Sequence, residues 1–438
     1  MNLRSLALVA AFFLAACNPT GATTTTGTST TVTTEATTST TGEAPTSTTL
    51  PAGTEELPEE LRAEISRLTE VTEELRGLEF VTPPTITVVT ADELAERVRQ
   101  QIEEDYEEVD VDQALYILLG LVEPDFNLRQ TISDLYGEQV AGYYDGENQE
   151  LVVPALDNEF TMLQQVTLVH ELTHSLTDQV LDFHAYFDEL HEEDRFDEAS
   201  AFQALVEGDA SLTEVLFVQQ MSPAEQQEFL EEALQGVDDT VFSGVPQFIQ
   251  DSLLFPYETG FFFVSELFNV GGPEAVDQAY TNPPRSTEQV LDPSRYPDDI
   301  PMEVSLLPEL VVGYQLEYGS TWGELGFRLL FDQELGGNEA AATGWGGDSY
   351  NVFYNGVDVA MVLRYIGDTG DDAVEIFAAL REYAQAAMAV GEPIADGSGF
   401  AFTGDDYAFV SQVGDEVAWV VAGDPAIGAQ LRAELPDF

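Results

Sequence analysis

The sequence predicts an α+β protein: a mainly helical region over 55–300 carrying a small mixed sheet, then a second α+β region over 301–438. Three observations lead there. Apolar residues recur at three- and four-residue spacing through much of 55–268, the period of a helix with one buried face. Two short apolar runs, 140–144 and 150–153, flank Asp145-Gly146-Glu147-Asn148, a hairpin signal. Beyond 303, strand-like and helix-like runs alternate.

Element by element, 55–78 sets Leu61, Ile65, Leu68, Val71 and Leu75 on one helical face. The run TITVVT after Pro83-Pro84 reads as a strand, and amphipathic helices are expected at 92–108, 112–122 and 128–138. After the hairpin, 160–181 is helical by period, with Leu163, Val166, Leu168, Val169, Leu172 and Leu176 apolar. The acidic stretch 182–197 looks irregular. Helices follow at 199–220, 223–234 and 259–268. The second region should hold a helix at 321–335, strands at 351–354 and 359–365, and a helix at 371–388. Strands at 399–403, 407–413 and 416–421 precede a last helix from Pro425. No fixed-period repeat is present, and Pro and Gly cluster near the boundary at 300.

The N-terminus is read apart from the fold. Residues 1–17 place Arg4 before an apolar run over 6–16 that is too short to span a bilayer, the pattern of a secretory signal. Leu14-Ala15-Ala16-Cys17 resembles the lipobox of bacterial lipoproteins, in which the Cys is lipidated. Cys17 is the single cysteine, so no intramolecular disulfide can form. Residues 18–54 are Thr/Ser-rich and bury almost nothing, so a disordered linker is expected. The expected location is extracytoplasmic, lipid-anchored to the cell membrane. No later run of 18 apolar residues calls for a transmembrane helix.

Charge excludes one class of partner. There are 81 Asp+Glu against 14 Lys+Arg, every cation an Arg, for a formal net charge of −67. Such a surface repels phosphate backbones, so nucleic acid is not an expected partner. A heavily solvated acidic surface is the plain reading.

Residues 170–174 read His-Glu-Leu-Thr-His. Positions i and i+4 share a helix face, so His170 and His174 can present two imidazoles to one Zn²⁺. Glu171 lies beside them, where it can take a proton from zinc-bound water. With only four His in the chain, a chance match is rare. A catalytic zinc needs a third protein ligand and an open position. Glu207, in AFQALVEGDA, emerges from an otherwise apolar segment; Glu198 is the next choice, with His184 or Asp182 behind it.

HELTHSLTD at 170–178 is similar to the thermolysin active-site helix, and Val206-Glu207-Gly208 resembles the third-ligand segment of aminopeptidases of the same gluzincin clan. The 32 residues between His174 and Glu207 exceed the spacing of the best-known families, which an inserted loop at 182–197 would explain. Pro256-Tyr257-Glu258-Thr259-Gly260 resembles the Pro-Tyr-Glu-x-Gly element of gluzincin aminopeptidases. The resemblance implies a zincin-like fold, zinc as cofactor, and a peptide or protein substrate. It further implies Asp178 as a carboxylate supporting the ligands and Tyr257, opening a helix, as the oxyanion donor. Arg285 is the alternative donor. The hairpin at 140–153, P-P-x-S-T-E-Q at 283–289 and Gly-Trp-Gly-Gly-Asp at 344–348 resemble stretches of bacterial lipoproteins and secreted proteins of this clan. The chain departs from them at Asp292, where they commonly have a His. In zincins a sheet edge beside the metal helix receives extended peptide by strand addition, a role open to the hairpin.

Three classes compete: a zinc metallopeptidase, a non-catalytic zincin-like cell-envelope binding or scaffold lipoprotein, and a zinc hydrolase of non-peptide substrates. The intact Glu171 favours an enzyme, but metal and fold do not fix a substrate.

Overall fold

A computed structural model describes residues 57–438 apart from 106–108, 140–141, 147, 155–158, 237–241, 243, 305–306, 309–310, 338 and 436. The signal, linker and Cys17 expectations lie outside the described residues. The architecture is α+β, as the sequence predicts.

Helix α1 (Glu59–Arg76) buries Leu61, Ile65, Leu68, Thr72 and Arg76, a stripe at helical spacing, and stops at Gly77 in the left-handed region. Strand β1 (Thr85–Val89) precedes α2 (Ala91–Asp105), α3 (Val109–Leu119) and α4 (Leu128–Gln139). The hairpin forms as β2 (Tyr143–Asp145) and β3 (Glu150–Pro154), paired antiparallel. Its second strand also pairs in parallel with β1, giving a mixed three-stranded sheet of order β1-β3-β2.

Helix α5 (Met162–Leu181) opens on a capping box in which Thr161 and Gln164 satisfy each other's backbone N–H. Every residue from Gln165 to Asp178 is buried, so this helix has no solvent face. The stretch read as irregular is instead helix α6 (Phe183–Glu192). Phe183, Phe187 and Leu190 recur at helical spacing there, a period hidden by the surrounding Asp and Glu.

Helix α7 (Phe196–Gln220) is buried on all sides along most of its length. After α8 (Pro223–Gly236) comes α9 (Gln247–Gly271), much longer than the expected 259–268, with Pro256 inside it. Tyr257 therefore lies mid-helix rather than at a helix start. Apolar packing on both sides carries the helix through the proline. α7 and α9 cross backbone against backbone: a Cβ on Gly208 would collide with Gly260 O, and one on Gly260 with Ala204 O. Only glycine permits that approach. Short helices α10 (Pro273–Thr281) and α11 (Thr287–Leu291) follow.

The remainder builds a seven-stranded antiparallel sheet of order β4-β5-β6-β10-β9-β8-β7. Its strands are β4 (Gln315–Ser320), β5 (Trp345–Tyr354), β6 (Val359–Gly367), β7 (Ile394–Asp396), β8 (Gly399–Thr403), β9 (Tyr407–Val413) and β10 (Glu416–Ala422). The helices are α12 (Gly323–Leu335), α13 (Glu339–Ala342), α14 (Gly370–Ala387) and α15 (Pro425–Ala433). β4 is half exposed and carries no clean alternation, which is why sequence pattern misses it. One core joins Leu94, Leu115 and Leu119 to Phe331, Trp345 and Trp419. No helix among the described residues is long and apolar enough to cross a membrane.

Two buried carboxylates brace the start of α12 and the Ser286–Thr287 turn. Asp348 accepts from Trp322 N, Gly323 N and Trp345 Nε1 at 2.7, 2.9 and 2.6 Å. Asp197 accepts from Thr287 Oγ1 at 2.5 Å and Thr287 N at 3.2 Å. Burial pushes Asp197 up from 3.8 to about 7 and Asp348 to about 6, against those hydrogen bonds. Both hold a proton more tightly folded than unfolded. Their effect on stability is thus favourable in acid and lost as pH rises from about 4 to about 7. The melting temperature is expected to fall across that window, and Asp197→Asn to flatten part of the slope. Thermal melts of the two proteins between pH 4 and 7 check this; parallel curves would refute it.

Candidate metal centre

The four-residue spacing on α5 brings His170 Nε2 and His174 Nε2 to 2.9 Å of each other. Helix α7 delivers Glu207 Oε2 to 3.2 Å from the first and 3.3 Å from the second. One ligand atom from each lies within 4.8 Å of the others, and all three residues are buried. Glu171 is 1% exposed. Two imidazole nitrogens and a carboxylate oxygen, converging from two helices, can bind a metal ion.

Polar satisfaction supports that fit. Glu207 Oε1 and Glu171 Oε2 are buried without a hydrogen-bond partner among the described residues. A carboxylate oxygen left so is costly unless something else compensates it. A divalent ion among these groups would do so, and the mixed N/O donor set suits a first-row transition metal.

Glu214 was not foreseen from sequence. It lies two turns beyond Glu207 on α7, and its Oε1 is 2.9 Å from His170 Nδ1. A carboxylate behind a ligating imidazole fixes the ring and raises its basicity. The signal was a second Glu seven residues on, two turns along the same helix face, readable only once Glu207 is assigned.

Asp178 has other work. It accepts from Tyr144 Oη at 2.7 Å and from His184 N at 3.0 Å, so it ties α5 to the hairpin and to α6. Its position one turn past His174 carries its carboxylate to those donors, and His174 Nδ1 has no hydrogen-bond partner among the described residues. The carboxylate that lies beside an imidazole Nδ1 of the pair is Glu214, in a charge contact rather than a hydrogen bond.

The alternative third ligands stand apart. Glu198 binds Arg285 Nε at 2.5 Å and Tyr186 Oη at 2.9 Å, and also pairs with Arg195. His184 packs its ring against the hairpin at Gly146, where a Cβ would strike it. Asp182 is the exposed left-handed residue between α5 and α6.

Tyr257 is half-buried, its ring 6.4 Å from that of His170. The Gly208–Gly260 crossing brings its stretch of α9 close to α7, so both glycines of the sequence motifs serve one contact. Arg285 is instead held on Glu198.

Electrostatics couple the group. Burial alone would raise the Glu207 pKa, but His174 and His170 outweigh it and hold it down at about 2. Burial works against a charged His170, yet Glu214 and Glu207 raise it to about 10. Burial pushes Glu171 up to about 7, partly opposed by the two imidazoles.

Residues 313–432 match a family described as a domain of unknown function (DUF8575). That segment spans β4 to α15 and contains none of the cluster. A search of curated proteins finds no match. A crystal structure from Chloroflexus aurantiacus, provisionally described as a hydrolase with a novel fold, is similar over 54% of this chain and 87% of that one. Identity is 17% and the TM-score 0.37, a likeness too loose to bear on function.

Proposed function

We propose that the chain is a zinc-dependent peptidase acting outside the cytoplasm, held at a membrane through lipidated Cys17. The observation that carries it is the convergence of His170 Nε2, His174 Nε2 and Glu207 Oε2 beside a buried Glu171. His170, His174 and Glu207 would hold the ion, with Glu214 orienting His170. When bound, zinc supplies a Lewis acid that activates water and polarises a carbonyl oxygen. Glu171 takes the proton of the attacking water and returns it to the leaving amine. Tyr257 donates its O–H to the carbonyl oxygen as negative charge develops there. The hairpin offers edge strand β2 for an extended peptide.

The site is tested by metal content. His174→Ala is expected to lose zinc, and a folded variant retaining full zinc would sink the reading. Glu207→Gln should weaken zinc binding by at least tenfold, the usual scale for disturbing a metal site, while Glu198→Gln leaves it unchanged. The reverse order would move the third ligand to Glu198.

Anchoring is tested separately. Cys17→Ser is expected to release the protein from the membrane fraction into the medium. Wild-type protein already free in the medium would refute the anchor and leave the metal site untouched.

A further inference from the structure

A cavity of about 140 Å³ lies where the helical region meets the large sheet, walled by parts of α3, α6, α7, α9, α12, β4 and β5. None of His170, Glu171, His174 and Glu207 lines it, so it is a place apart from the metal centre.

Rings dominate that wall. Trp322, Tyr350, Tyr318 and Phe196 follow one another edge to face, with centroids 5.2, 6.2 and 5.8 Å apart. Tyr116 and Phe248 form a second such pair at 5.0 Å. All six line the cavity. Aromatic faces carry negative potential and attract a cation placed over them, Trp most strongly.

Two buried carboxylates add to that bias. Asp112 on α3 accepts from Tyr318 Oη at 2.7 Å, and Asp197 on α7 from Thr287 Oγ1 at 2.5 Å. These donors are neutral, so they leave the negative charge in place. The charges that act most on Asp197, those of Asp348 and Glu198, are themselves negative and push its pKa up. Among the described residues no Arg lines the cavity, and the chain has no Lys. Burying negative charge is costly unless a positive one joins it, and a cation inside the cavity would offset part of that cost.

Size and polarity define the cation. An apolar cavity of about 150 Å³ holds a benzene molecule, and a trimethylammonium head is of similar bulk. A bare metal ion is a poor match, since rings rather than oxygens make up most of the wall. A quaternary ammonium has no N–H donor, so a wall of rings leaves it no hydrogen bond unmade.

We propose that this cavity binds a small quaternary ammonium, its methyl groups against the rings and its charge offset by Asp112 and Asp197.

Calorimetric titration of the full-length protein at about pH 8 tests it. At that pH His191, the remaining wall group able to turn cationic, is ordinarily neutral, and Asp197 lies above its raised pKa. The probes are choline and neohexyl alcohol, which has a tert-butyl group in place of the trimethylammonium. Choline should bind one to one and at least about tenfold more tightly than the alcohol, a modest share of what a desolvated cation–π site supplies. Asp112→Asn keeps an acceptor for Tyr318 Oη and removes the charge. Trp322→Leu removes a ring and keeps apolar bulk. Each should weaken choline by about tenfold or more while the alcohol changes little. Should neither variant fold, the wild-type comparison decides. Equal or tighter binding of the alcohol overturns the proposal and leaves a neutral apolar site. Binding of neither probe overturns it, as does choline affinity unchanged in both variants. None of these outcomes depends on the peptidase reading.

Discussion

Glu171→Gln is expected to lower peptide hydrolysis by about 10²–10⁴-fold, the usual worth of a general acid–base, while zinc content and melting temperature stay near wild type. The substitution keeps the shape of the side chain and removes its basicity. Glu171 is not one of the three converging ligands, so the ion should remain. Its Oε2 is buried with no hydrogen-bond partner among the described residues, which leaves that oxygen available to a reacting water. Fold should survive because no hydrogen bond to that oxygen is lost. Zinc analysis, thermal melts and single-turnover cleavage on the same preparation check all three parts. Unchanged turnover would remove Glu171 from the mechanism. Lost zinc would instead make it a fourth ligand.

What the sequence discloses and what it hides follow from range. The spacing of His170 and His174 is a local property of one helix, and one helix is enough to bring their Nε2 atoms together. Glu207 stood out as a carboxylate emerging from the apolar stretch AFQALV, and the structure buries it beside both imidazoles. Glu214 was not, since its partner is His170, 44 positions earlier in the sequence, and no local pattern names that pair. For Asp178 the motif gives its place on α5, but its partners Tyr144 and His184 arrive from β2 and α6. Helix α6 was hidden because charge density masked a period of four carried by Phe183, Phe187 and His191. In α9, Pro256 reads locally as a helix boundary, and tertiary packing overrode it. The Gly208–Gly260 crossing gives a physical reason for two motif glycines that resemblance had left unexplained.

Tyr257→Phe is expected to depress kcat by about 10²–10³-fold, the cost of removing one oxyanion donor, with zinc content and substrate binding near wild type. Among the described residues no His follows His191, so a donor other than imidazole must serve the carbonyl oxygen as charge builds there. Two residues competed on sequence. Arg285 carries the stronger charge, but its Nε is bound to Glu198 at 2.5 Å, and Glu198 also pairs with Arg195. Reaching the centre would strip a buried carboxylate of a partner, which costs more than a surface pair returns. Tyr257 already has its ring 6.4 Å from that of His170, on a helix held against α7 by glycine contact. Phe keeps the ring, its packing and the helix, so only the O–H is lost and the change isolates the donor. Steady-state kinetics should show kcat falling and KM nearly constant, because the interaction strengthens only as charge develops. Arg285→Ala should leave kcat within a few fold and act on stability through Glu198. The opposite pattern, wild-type kcat in Tyr257→Phe and a collapse in Arg285→Ala, would assign the donor to Arg285 and require the Glu198 pair to open during turnover.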